Sequence, residues 1–127
     1  MNMKIKLGVI GSGTLDGIDQ EIIEKARELG KLISKRNVLL FTGCDTGIPY
    51  EVVKEAKKLG CSTIGISPAS NKREHLDMYG LLEENYDTII FTGFGYKGRN
   101  VIFIRSCDAI ISISGGIGTL NEFTIAF

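Results

Sequence analysis

The sequence has little of what metal sites and disulfide frameworks require. It contains one histidine, three cysteines and no tryptophan in 127 residues. The cysteines, Cys44, Cys61 and Cys107, are odd in number, widely spaced and without a Cys-x-x-Cys pair. We therefore interpret them as reduced core residues of a cytoplasmic protein. His75 has no ligand residues near it in the sequence, which argues against a metal site at that position.

The sequence also lacks an excess of charge and a long apolar run. Fifteen Lys and Arg residues balance fifteen Asp and Glu residues. Proteins that bind the nucleic acid backbone normally have a basic excess, so no nucleic acid partner is expected. No apolar segment is long enough to span a membrane, and residues 1–7 lack the apolar region of a signal peptide. We therefore expect a cytoplasmic protein without a membrane partner.

Short apolar runs alternate with helical periodicity along the whole chain. Strands are predicted at 4–10, 38–42, 63–67, 88–92 and 109–113. Helices are predicted at 19–36, 49–60, 76–83 and 99–107, and from Leu120 onward. Continuous Val and Ile runs between helices are typical of a parallel sheet covered on both faces. The pattern predicts a single Rossmann-like α/β domain over residues 1–127, a doubly wound sheet with strand order 3-2-1-4-5.

The end of the chain is unusual for a natural terminus. The last predicted helix has no glycine or lysine stop signal and closes on an apolar stretch, Phe123–Phe127. This pattern predicts that at least one further strand and helix are missing from the C-terminus.

Four predicted strand-to-helix loops are rich in glycine: the first (residues 11–14), the second (43–47), the fourth (93–95, a glycine-aromatic pattern) and the fifth (114–119), each numbered by the strand before it. In a doubly wound sheet these loops meet at the carboxyl edge of the strands, where ligands bind at the reversal of strand order. Glycine lets the backbone approach a ligand, and free N–H groups at a helix start can hold a phosphate. The candidate binding residues in these loops are Gly11, Ser12, Gly13, Gly43, Asp45, Gly115, Gly116, Ile117, Gly118 and Thr119.

The first loop suggests a dinucleotide site but departs from its pattern. The spacing Gly11-x-Gly13-x-x-x-Gly17 is one residue too long for the fingerprint. The acidic residue expected after the second strand is absent, and Asp45 comes slightly late. A tight turn that faces a ligand is the simpler interpretation.

The fifth loop has the stronger signal. Three glycines occur in four positions, Gly115–Gly118, between a buried strand and a helix. Thr119 and Glu122 have the spacing of a capping box, which alone would account for both residues. Arg99 is predicted at the N-terminus of the preceding helix, where a cation is unfavourable unless it contacts a phosphate or carboxylate. Both interpretations of Glu122, cap and site residue, remain open at this point.

Three segments carry a resemblance to a known family. Arg99-Asn100, Cys107–Ile111 and Ser114–Glu122 resemble the LOG family of nucleotide phosphoribohydrolases, long mislabelled lysine decarboxylases. Gly8–Gly13 and Thr42–Pro49 are similar to the wider superfamily, which includes molybdenum cofactor carrier proteins and DNA-processing DprA proteins.

This chain departs from the family pattern at four positions. Ser114 replaces a proline, Asn100 a lysine and Asn121 a frequent acidic residue, and Cys44 stands where glycine is common. These features look closer to the carrier-like branch than to the hydrolases.

The resemblance implies a nucleotide-binding protein without a metal or cofactor. In the family, the N-glycosidic bond of a nucleoside 5′-monophosphate is hydrolysed, and Arg99 and Glu122 match the catalytic pair. The resemblance also implies a homodimer or higher homo-oligomer. The alternative is a non-catalytic carrier of a nucleotide or of molybdenum cofactor. A DprA-like nucleic-acid-binding module is a third hypothesis, which the neutral charge disfavours.

Overall fold

The computed structural model describes residues 3–126, with the backbone alone at positions 117 and 118. Within these residues, strands and α-helices alternate, and a π-helical turn at Glu74–Met78 precedes the fourth strand. The elements in chain order are β1 (Ile5–Gly11), α1 (Gln20–Ser34), β2 (Val38–Thr42), α2 (Ile48–Lys58), β3 (Ser62–Ser67), β4 (Thr88–Phe91), α3 (Gly95–Ser106), β5 (Ala109–Ile113) and α4 (Ile117–Ala126).

The five strands form one parallel sheet in the order β4-β3-β2-β1-β5. This confirms the predicted doubly wound, Rossmann-like α/β architecture. Within it, the position of β4 differs from the expected order 3-2-1-4-5. β4 pairs with β3 at one edge, and β5 pairs directly with β1 at the other.

The segment before β4 explains this position. The backbone N–H of Thr63 on β3 donates to Asp87 Oδ2 at 2.8 Å, and the Thr63 hydroxyl donates to the Asn85 carbonyl at 2.6 Å. The chain is therefore already held beside β3 when β4 begins. The crossover back past β1 occurs later, through α3.

The two faces of the sheet carry separate apolar cores. Neighbouring strand residues point to opposite faces, so Val9 packs against α1 and α2, whereas Ile10 packs with Phe103 of α3. Leu40 and Phe41 of β2 divide in the same way. Burial on both faces is the reason that these strands read as continuous apolar runs.

Strand order reverses at β1, which lies between β2 and β5. The chain leaves β1 toward α1 on one face and leaves β5 toward α4 on the other. Such a divergence opens a crevice at the carboxyl ends of the two strands.

Two helices begin earlier than predicted. α3 begins at Gly95 instead of Arg99, and α4 begins at Ile117 instead of Leu120. Glycines in both segments had indicated loops. Gly98 lies inside α3, where a Cβ would collide with the Phe94 side chain, so packing requires glycine at this position. Arg99 is therefore in the second turn of α3, and the expected unfavourable position at the helix N-terminus does not exist.

Candidate functional site

A cleft of about 380 Å³ opens where the strand order reverses. It is formed by the ends of β1, β2 and β5 together with α3 and α4. The residues that line it are Gly11, Ser12, Gly13, Asp45, Tyr96, Arg99, Asn100, Gly116, Thr119 and Glu122. Six of the ten predicted loop residues therefore line one cleft with the predicted pair Arg99 and Glu122. Gly43 and Gly115 are not among the residues that line it.

One side of the cleft, the loop wall (residues 11–13 and 43–47), is built from two interlocked loops. The Ile48 N–H donates to the Ser12 carbonyl at 2.9 Å, and the Thr46 hydroxyl donates to the Gly13 carbonyl at 2.9 Å. Gly47 has a φ of 100°, and a Cβ there would collide with Ser12 and Gly13 backbone atoms. This wall is therefore fixed by main-chain contacts.

The opposite side, the helix wall (Arg99, Asn100, Thr119 and Glu122), is built from side chains of α3 and α4. The Thr119 hydroxyl donates to the Gly11 carbonyl at 3.0 Å, which joins α4 to the end of β1. The Leu120 N–H donates to the Gly116 carbonyl at 3.0 Å, in keeping with a helix that starts at Ile117. Thr119 is therefore not an N-cap, and the capping-box interpretation of Thr119 and Glu122 is wrong.

Arg99 is almost fully buried and held on several sides. Its Nη1 donates to the Gly43 carbonyl and, at 3.5 Å, to the Ile66 carbonyl, at the ends of β2 and β3. Its Nη2 lies 3.5 Å from Asp45 Oδ2, and its guanidinium carbon lies 5.4 Å from the centre of the Tyr96 ring. A Cβ at position 43 would collide with the guanidinium, so glycine is required there by close packing.

Two carboxyl groups face this guanidinium. Burial raises the pKa of Glu122 to about 7; the Arg99 charge opposes the shift and the Asp45 charge adds to it. Burial also raises the pKa of Asp45, again against the charge and hydrogen bond of Arg99. The Glu122 side chain is 7% exposed. A carboxyl group that titrates near neutral pH in a cleft is suited to acid–base work.

The predicted phosphate-binding turn lies at the start of α4. A Cβ on Gly116 would meet no atom within 4 Å, so the space beside this residue is open to the cleft. A Cβ on Gly115 would collide with Thr119, so Gly115 allows Thr119 to reach Gly11. The side chains at Ile117 and Gly118 lie outside the described residues, and only their helical backbone is described.

Sequence reasoning missed two lining residues as members of the site. Tyr96 follows the glycine-rich fourth loop, where the glycine-aromatic pattern was the available signal. Asn100 had been noted only as a departure from a family pattern. It accepts a hydrogen bond from Arg99 Nε at 2.9 Å and donates one to Asn121 Oδ1 at 2.9 Å.

Other features of the described chain lie outside this cleft. A larger cavity, about 620 Å³, runs along β5 beside residues such as Cys107, Ile110 and Phe123, and includes none of the predicted site residues. The three cysteines are free, and burial raises the pKa of Cys44 and Cys107 to about 12, which disfavours thiolate chemistry.

Two absences apply to residues 3–126. No group of three or more His, Cys, Asp or Glu side chains is arranged to hold a metal ion. None of the helices in this range combines the length and the apolar character needed to cross a bilayer.

Comparison with known proteins identifies the family to which the chain belongs. The model of the SLOG cluster4 family (LDcluster4) matches residues 4–127. An uncharacterized protein of Archaeoglobus fulgidus is 34% identical over 122 residues, which cover 96% of this chain and 73% of that protein. A cytokinin riboside 5′-monophosphate phosphoribohydrolase of Mycobacterium tuberculosis is 30% identical over 103 residues, 80% of this chain and 52% of the relative.

A solved structure extends the comparison to the fold. The molybdenum cofactor binding protein of Rippkaea orientalis is 33% identical, with a TM-score of 0.81 over 98% of this chain and 71% of the other. The relatives and this structure together confirm the resemblance to a LOG-like, molybdenum-cofactor-carrier-like superfamily.

Proposed function

Since the chain belongs to the SLOG cluster4 family, we propose that it binds a nucleoside 5′-monophosphate in the cleft and hydrolyses its N-glycosidic bond. The observation that carries the proposal is the convergence of Arg99, Asp45 and Glu122 in one cleft beside the start of α4. A phosphoribohydrolase among the relatives is consistent with this reaction.

In this proposal, the start of α4 holds the 5′-phosphate. Free N–H groups and the positive end of the helix dipole favour a phosphate at a helix N-terminus. The backbone of residues 115–119 supplies these donors, and the open space beside Gly116 leaves room for phosphate oxygens. Gly11, Ser12 and Gly13 lie across the cleft and would contact the sugar or the phosphate.

Arg99 and Glu122 would perform the chemistry. Cleavage of an N-glycosidic bond passes through an oxocarbenium-like state, which a nearby carboxylate stabilises. Water adds to the anomeric carbon while the bond to the base nitrogen breaks, and the Glu122 carboxylate takes a proton from the water. The departing base nitrogen takes up a proton from solvent, and Glu122 returns its proton to solvent. Arg99 and Asp45 would orient the substrate through its oxygen atoms and hydroxyl groups. The products are the free base and ribose 5-phosphate.

The test is release of adenine from AMP, measured by chromatography, for the protein and for Glu122→Gln. Glutamine keeps the shape of the side chain but cannot accept a proton, so hydrolysis should slow about a hundredfold or more. AMP affinity should not fall, because the substitution removes a negative charge from the cleft. In the unsubstituted protein the rate should rise as pH increases through about 7, because the reactive form of Glu122 is the deprotonated one.

Glu51→Gln is the matched control for this experiment. Glu51 is also a buried carboxylate, 4% exposed, but it pairs with Arg27 and Lys54 on the α1–α2 side of the sheet. Its substitution should leave the rate of adenine release unchanged. Equal rates for the unsubstituted protein and Glu122→Gln would reject the hydrolase proposal.

A second candidate is a carrier that binds a nucleotide or a molybdenum cofactor without turnover. It is favoured by the 33% identity to a molybdenum cofactor binding protein over nearly the whole chain. It is also favoured by the four contacts that already engage Arg99 within the protein. AMP binding by calorimetry without adenine release, or selective binding of a molybdopterin-type ligand, would establish this function instead.

Two further expectations stay predictions. Self-association would use the face of α3 that carries Val101, which is 48% exposed. The cytoplasmic location stays a prediction.

A further inference from the structure

Asn100 links the arginine of the cleft to the second helix of the helix wall. It lies next to Arg99 on α3 and is 5% exposed. Its Oδ1 accepts from Arg99 Nε and its Nδ2 donates to Asn121 Oδ1, both at 2.9 Å. A carboxamide has one acceptor end and one donor end, so the two contacts together decide which end faces Arg99.

The hydrogen bond to Asn100 engages a different nitrogen of Arg99 from the other contacts. Gly43 and Ile66 hold Nη1, and Asp45 lies against Nη2, but Asn100 alone among the described residues accepts from Nε. A guanidinium group is planar, so fixing Nε as well as Nη1 fixes the plane of the whole group. Arg99 has five N–H donors and four such contacts, which leaves one N–H donor outside these contacts.

We infer that Asn100 and Asn121 form an amide relay in which Asn100 positions the Arg99 guanidinium and Asn121 orients Asn100. Neither asparagine is a catalytic residue in this scheme. The relay also ties α3, which carries Arg99, to α4, which carries Glu122. Its effect on ligand affinity rests on the proposed function, whereas its effect on Arg99 does not.

The first experiment observes Arg99 directly, by the hydrogen exchange and chemical shift of its Nε–H resonance in 15N NMR spectra. Asn100→Ala removes the acceptor of this N–H, and exchange should accelerate about tenfold or more, as for loss of a hydrogen bond to a charged group. Asn121→Ala frees the Asn100 amide to rotate and should give a smaller acceleration in the same direction.

Two variants control this measurement. Asn121→Asp keeps an acceptor for Asn100 Nδ2 and should preserve slow exchange. Asn37→Ala removes an exposed asparagine remote from the cleft and should leave the resonance unchanged. Asn121 is itself exposed, so Asn121→Ala should fold even if Asn100→Ala does not. Unchanged Arg99 Nε–H exchange in Asn121→Ala would overturn the relay.

The second experiment is a double-mutant cycle with AMP affinity measured by calorimetry. Asn100→Ala should weaken AMP binding about tenfold in the presence of Arg99, and far less in Arg99→Lys, which has no Nε–H for Asn100 to hold. Equal losses in both backgrounds would reject the positioning role. If the protein binds no AMP while the exchange data follow the relay, the proposed function fails and the relay stands.

Discussion

The two walls of the cleft are built on different principles. The loop wall is assembled from main-chain contacts such as Ile48 N–H to the Ser12 carbonyl, and glycine is required at Gly47 and Gly43 by close packing. The helix wall presents buried polar side chains, among them Arg99 and Glu122. Substitutions in the loop wall should therefore change mainly the stability of the fold. Substitutions in the helix wall should change mainly the charge of the cleft and its interaction with a ligand.

The largest effect is expected from Gly47→Ala in the loop wall. Gly47 has φ 100° and ψ −144°, a conformation essentially restricted to glycine, and a Cβ there would collide with the first loop. The free energy of unfolding should fall by about 3 kcal/mol or more, measured by urea denaturation.

Gly60→Ala is the matched control for that change. Gly60 also has a positive φ, 89°, but a Cβ there would meet no atom within 4 Å. Its cost should be the backbone strain alone, about 1 kcal/mol. Equal losses in the two variants would show that the two loops are not interlocked through Gly47.

A smaller effect, of opposite sign, is expected in the helix wall from Glu122→Gln. Folding raises the pKa of Glu122 from 4.5 to about 7, so protonation favours the folded state. This contribution to stability is fully present below pH 4.5 and is lost as pH rises through 7.

Glutamine does not titrate, so Glu122→Gln should gain stability relative to the unsubstituted protein between pH 4 and pH 8, on the order of 2 kcal/mol. Thermal unfolding at both pH values, compared between the two proteins, checks this. A difference in stability that is the same at both pH values would contradict the buried position of the carboxyl group.

The smallest effect is expected from Gly116→Leu, between the two walls. Because a Cβ at Gly116 meets open space and its φ is not positive, the variant should fold with little change in melting temperature. The leucine side chain should occupy the proposed phosphate position and weaken AMP binding about tenfold or more, about 1.4 kcal/mol, in calorimetry. Unchanged AMP affinity in the folded variant would show that the phosphate binds at another position.

The sheet and the meeting of Arg99 with Glu122 were predictable from local patterns. Parallel strands alternate with helices, and the loops after such strands lie at the same edge of the sheet. The sequence alone therefore placed residues 99 and 122 at a common crevice. The bounds of β2 and β5 were also predicted as the structure has them.

Long-range contacts explain what the sequence did not predict. The position of β4 depends on hydrogen bonds of Thr63 to residues more than 20 positions away. A Cβ on Gly98 would collide with the Phe94 side chain, so this glycine is required by packing inside α3 and does not mark a loop. The capping-box alternative could not be excluded from the sequence, because the Thr119 hydroxyl bonds to Gly11, 108 residues earlier, which no local spacing reveals.

The opposite charges of the side chains in the cleft have a consequence for ligand entry. Arg99 and Asp45 offset each other, so the net charge of the site near neutral pH is set by the proton on Glu122. An incoming phosphate dianion would raise the proton affinity of this carboxyl group further, because like charges in a poorly solvated space repel. Binding and protonation are therefore thermodynamically linked, and anion binding near neutral pH should be accompanied by uptake of a fraction of a proton from solvent.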